Sequence, residues 1–103
     1  MEAQARYDDI ADELVARDPA VALSQMFGMP CVKRNGKAGM GFYKGEMVFK
    51  LPDEVQRERA LALEGAQLFD PMGGRPMREW VQVPATHADE WAELAAVAAE
   101  ALP

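Results

Sequence analysis

Cys31 and His87, the chain's one cysteine and one histidine, are the only residues that could form a thiolate–imidazole pair. Nucleophilic catalysis needs such a nucleophile held against a base that a third group orients. The surrounding pattern argues against it. Cys31 falls in a strand-like run, where a lone cysteine defaults to a small buried hydrophobe, and His87 opens the first turn of a helix. The same pair cannot furnish a Cys/His zinc site, and a single cysteine excludes an intrachain disulfide. The acids Asp8-Asp9 and Asp12-Glu13 lack the D-x-D-x-D-G spacing of a calcium loop. They fall on an exposed helix face, where nothing desolvates a carboxylate enough to shift its pKa. Gly39-Met40-Gly41-Phe42-Tyr43-Lys44-Gly45 is one residue off the dinucleotide fingerprint and lacks the strand–turn–helix setting that holds a pyrophosphate. The expectation is a non-enzymatic protein with no catalytic residues, no metal and no cofactor.

Two stretches have binding chemistry instead. In Met72-Gly73-Gly74-Arg75-Pro76-Met77-Arg78 the glycines let backbone N–H groups converge on an anion, and the arginines supply bidentate donors. The methionines offer adaptable apolar contact. Gly73, Gly74, Arg75, Met77 and Arg78 are therefore candidate partner or anion contacts. The alternative is a tight connection whose arginines pair with nearby acids and whose methionines fill the core. Residues 33–50 interleave Lys33, Arg34, Lys37, Lys44 and Lys50 with Phe42, Tyr43 and Phe49, the ingredients of base stacking and phosphate contact. Against a nucleic-acid partner stands the overall charge of −6. The ends oppose it too: residues 1–20 carry six acids against two arginines, and residues 84–103 four acids with no Lys or Arg.

Periodicity sets the elements that must position these groups. Tyr7, Ile10, Ala11, Leu14 and Val15 recur at helical spacing, predicting a helix over residues 3–17 that Pro19 ends. Asn35-Gly36 joins Pro30–Arg34 to Lys37–Tyr43 as a type I′ hairpin, and Lys44-Gly45 turns the chain into Glu46–Leu51. Leu23–Phe27 either lengthens the first strand or forms a separate approach to it. Leu51-Pro52-Asp53-Glu54 starts a second helix, running to about Glu64 with Gly65 as its cap. A short strand at Ala66–Phe69, a breaker-rich loop and a strand at Glu79–Val83 follow. Thr86-x-x-Asp89 has capping-box spacing ahead of a last helix with Trp91, Leu94, Ala95, Ala98 and Leu102 on one stripe. These elements predict one α+β domain over residues 1–103, an antiparallel sheet of about five strands with helices on one face, in the order α-β3-α-β2-α. Its other face is expected to be open to water or a partner.

Met26-Phe27-Gly28, the turn Asn35-Gly36-Lys37, the strand Met47–Leu51, and Phe69 followed by Met77-x-x-Trp80-x-x-Val83-Pro84 ahead of a Trp-bearing helix resemble the N-terminal domain of TfoX/Sxy-type proteins. The likeness spans roughly residues 20–100, with the MmcQ/YjbR-like proteins as the nearest alternative. Met29-Pro30-Cys31 replaces the family's usual continuation of M-F-G-G. The resemblance implies a secretion-chaperone-like α+β fold and, in founding members with a second domain, a role in regulating natural competence. It implies no catalytic residues.

No apolar run reaches the roughly 18–20 residues that cross a bilayer, and acids stand where a secretory signal needs a basic region. The expectation is thus a cytoplasmic interaction or regulatory module with an unidentified protein partner or a homodimer formed through its sheet or a strand edge. Nucleic-acid binding through residues 33–50 and a small-ligand pocket between helices and sheet, lined by Met, Phe and Trp, are the alternatives.

Overall fold

Alternating apolar residues and tight turns build a six-stranded antiparallel sheet in the structure, a computed structural model that describes residues 2–103. Helix α1 (Ala3–Arg17) leads into strands β1 (Val21–Met26), β2 (Met29–Arg34), β3 (Lys37–Tyr43) and β4 (Glu46–Lys50). Helix α2 (Glu54–Leu61), strands β5 (Gln67–Phe69) and β6 (Met77–Val83), a 3₁₀ turn at Ala85–His87 and helix α3 (Ala88–Glu100) complete it. The strands lie in the order β1-β2-β3-β4-β6-β5.

The α+β class and the helix 3–17 agree with the sequence pattern, but the sheet has six strands rather than five. The added strand is β1, which pairs along its whole length with β2. Phe27 and Gly28, at φ 50° and 73°, make the same kind of two-residue turn as Asn35-Gly36.

All three helices pack on one sheet face. Tyr7, Ile10 and Ala11 of α1, Ala60 of α2, and Trp91, Ala95 and Ala98 of α3 form one core with Val32, Met40, Met47, Phe49, Val81 and Val83. The Met, Phe and Trp side chains expected around a ligand pocket there are instead packed into this core, with Met40, Phe49 and Trp91 wholly buried. The end of α2 departs from expectation. Its last residue is Leu61, and the chain turns through Leu63–Gly65 before β5. Ala60 faces the core, while Val55 is 62% exposed. The capping box also fails to form. After Pro84 the chain takes a 3₁₀ turn, so His87 rather than Thr86 caps α3, with no side-chain bond to the helix.

The opposite sheet face is not left open either. Val48 and Phe69 are fully buried on it, and Trp80 nearly so. Phe69 sits amid Tyr43, Trp80 and Phe27, with ring centroids 5.1, 6.4 and 6.5 Å away. Short β5 reaches over this face because its register with β6 jumps between Leu68 and Phe69. Half-buried Met26, Ala38, Tyr43 and Met77 surround a second small core built on Met29, Val48, Phe69 and Trp80.

Candidate functional site

The loop between β5 and β6 binds an anion, but it is the loop's own. The Asp70 carboxylate accepts from the Gly74 N–H at 2.8 Å and the Arg75 N–H at 3.2 Å. These are the donors that the Gly-Gly pair was expected to offer a ligand. The Gly74 N–H foremost, then those of Arg75 and Gly73, hold the Asp70 carboxyl below the usual carboxylate range. Met77 packs half-buried into the second core, whereas Met72 is 75% exposed. Arg75 and Arg78 pair with no acid among the described residues. Of the five expected contacts, only Arg78 joins other cations. The register jump leaves Arg78, Glu79 and Trp80 without partners on β5, and Arg78 lines a surface groove with Lys50 and Arg57.

The basic hairpins are dispersed. Arg34 bonds Asp18 at 2.8 Å and the carbonyls of Leu102 and Pro103. Lys44 lies over the Tyr43 ring, 5.2 Å from its centroid. Lys37 and Lys50 flank a depression beside Leu102 and Pro103. Cys31 and His87 do not meet: the strand carrying Cys31 is three strands from the one that leads to His87. Burial pushes the Cys31 thiol up, against smaller opposing effects of Lys33 and Ser24. His87 Nε2 lies 2.8 Å from the Glu64 carbonyl. Among the described residues no cluster of three His, Cys, Asp or Glu could hold a metal ion, and no helix is long and apolar enough to cross a membrane.

The other candidate surface is a sheet edge that the sequence did not resolve. The two outer strands differ sharply. β5 has three residues and an irregular register, devices that blunt an edge. β1 has six, Val-Ala-Leu-Ser-Gln-Met, with no charge, proline or bulge. In a two-residue hairpin the closing pair Met26/Met29 exchanges its bonds across the turn, so Ala22, Ser24 and Met26 point their backbone groups at β2. Those of Val21, Leu23 and Gln25 point outward. Among the described residues only the Val21 N–H finds a partner there, the Asp18 carbonyl at 3.0 Å. Leu23 is 58% exposed beside them, and Phe27 at the end of the strand is 54% exposed.

No family model matches the chain, and no curated protein or solved structure matches it.

Proposed function

We propose that this chain is a cytoplasmic, non-enzymatic interaction module of the TfoX N-terminal type, and that it pairs with a second copy of itself along β1. The observation that carries this reading is the open, uncharged β1 edge. Unpaired N–H and C=O groups in a row are a template for another strand, and an antiparallel pair across a two-fold axis presents the same surface from both sides. A strand without charge meets its copy without like-charge repulsion, which an acidic chain would otherwise impose. Phe27 supports the same reading. An aromatic residue at positive φ is costly, and it stands exposed beside the edge. The lone free thiol, Cys31, suits a reducing compartment.

Light scattering across a concentration series tests the pairing. The expected result is a concentration-dependent dimer that Leu23→Lys converts to monomer while circular dichroism stays unchanged. Phe27→Asn is expected to weaken the dimer yet stabilise the monomer, since Asn tolerates the left-handed region. A wild type that stays monomeric at every concentration, or a dimer indifferent to Leu23→Lys, would overturn it.

A further inference from the structure

Lys50, Arg57 and Arg78 come from three separate elements and line one open groove of about 500 Å³ with Pro52, Glu79 and Trp80. The three cations have no ion pair among the described residues, although the chain has 17 acids to 11 bases. Among the described residues Glu79 is the one carboxylate on the groove, which leaves it a net positive spot on an acidic molecule. Three like charges gathered against a single counter-charge repel one another, and a bound anion relieves that repulsion.

The groove is also built rather than incidental. One guanidinium nitrogen of Arg57 donates to the carbonyls of both Leu51 and Pro52, each at 3.0 Å. That anchors the planar fork while the other guanidinium nitrogens stay free for a bidentate acceptor. The Leu51 N–H donates to the Glu79 carbonyl at 2.7 Å, tying the start of the α2 segment to the irregular part of β6. The register jump that unpairs Arg78 from β5 sits in that same stretch, and bulges of this kind re-aim side chains beside binding sites. Pro52 and the small exposed part of Trp80, 7% of its surface, supply the apolar part of the wall.

We infer that this groove binds a phosphoryl group carried on a small molecule with an apolar or aromatic body. The phosphoryl oxygens sit between the Arg57 and Arg78 forks with Lys50 as an added point charge, and the body lies along Pro52 and Trp80. The site is independent of self-pairing, because β4 and β6 lie at the far side of the sheet from β1.

The test is an NMR titration of the full chain that follows the Trp80 indole N–H and the amides of residues 50–57 and 78–80. Three probes are added in turn: inorganic phosphate, adenosine monophosphate as an aromatic phosphomonoester, and adenosine without the phosphoryl group. The expected result is saturable shifts with both phosphates, tighter for the monophosphate, and none with adenosine. Arg78→Ala, and Lys50→Gln as a second variant, are expected to weaken binding about tenfold each, in line with losing a hydrogen bond to a charged group. Arg75→Ala, outside the groove, is expected to bind as the wild type does. No saturable shift, a response to adenosine equal to that of the monophosphate, or equal weakening by Arg75→Ala and Arg78→Ala would overturn the site. Free phosphate binding as tightly as the monophosphate would overturn the role given to Pro52 and Trp80.

Discussion

Two aspartates tie their surroundings by accepting hydrogen bonds in ionised form, and both make folding depend on pH in the same direction. The Arg34 guanidinium, and after it the Ala20 N–H, holds the Asp18 carboxyl below its usual range; the Gly74 N–H leads the same effect on Asp70. A carboxylate whose pKa is depressed in the folded state contributes stability that is full above the unfolded value of about 4. That contribution is lost as pH falls through the lower folded value. Asp70→Asn is therefore expected to lower the urea midpoint at pH 7 and to converge on the wild type as pH falls through the depressed folded value; a gap that stays constant down an acid series would show that charge is not what Asp70 contributes. Close approach acts at single residues too. A Cβ on Gly41 would lie 2.9 Å from the Pro30 carbonyl oxygen and press on Met29 Cε, whereas one on Gly39 would meet only the flexible end of Leu102. Backbone cannot yield as a side chain can, so Gly41→Ala is expected to cost about 1–3 kcal/mol in urea unfolding, and more than Gly39→Ala.

At the level of elements, α2 depends on its cap more than the other helices do. It spans only eight residues and buries one of them, Ala60, so little packing offsets the orphan donors of its first turn. The Asp53 carboxylate accepts from the Gln56 N–H at 2.9 Å. Asp53→Ala is expected to cost about 1 kcal/mol by urea unfolding, and to speed amide exchange in residues 54–57 above the rest of the molecule. The helix start was legible from Pro52-Asp53-Glu54, as α1 was from Tyr7, Ile10 and Ala11, because cap chemistry and helical period are local. β1 was not legible. At an edge Leu23 and Gln25 are exposed, so the strand lacks the burial alternation that marks one. The site was read only in part for a related reason: Arg78 and Lys50 each stood out in a separate stretch, but their meeting depends on β4 pairing with β6, which sets Lys50 opposite Trp80, and on Arg57 joining them from α2, neither of which has a sequence signature. The Gly-Gly pair misled because Asp70, just before it, fills the anion position.

Across the whole molecule one side chain joins segments far apart in sequence. Arg34, at the end of β2, reaches Asp18 at the cap of α1 and the carbonyls of Leu102 and Pro103 after α3, the latter at 3.1 and 3.0 Å. Asn35 adds a bond of 3.0 Å from its side-chain amide to the Pro103 carbonyl. The Leu102 side chain beneath lies against Gly39, where the absent Cβ makes room. Exposed ion pairs contribute little on their own, since water screens them and the side chains lose freedom. The value of Arg34 lies instead in connecting three elements, so that opening one exposes the donors that served the others. Arg34→Met keeps the aliphatic stem but loses the fork. It is expected to raise amide exchange in residues 17–22 and in residues 99–102 together, while β4 and β6, paired on both sides and remote from β1, keep their protection. Faster exchange at only one of those two ends would mean that Arg34 caps a helix locally and does not couple the two acidic termini to the sheet between them.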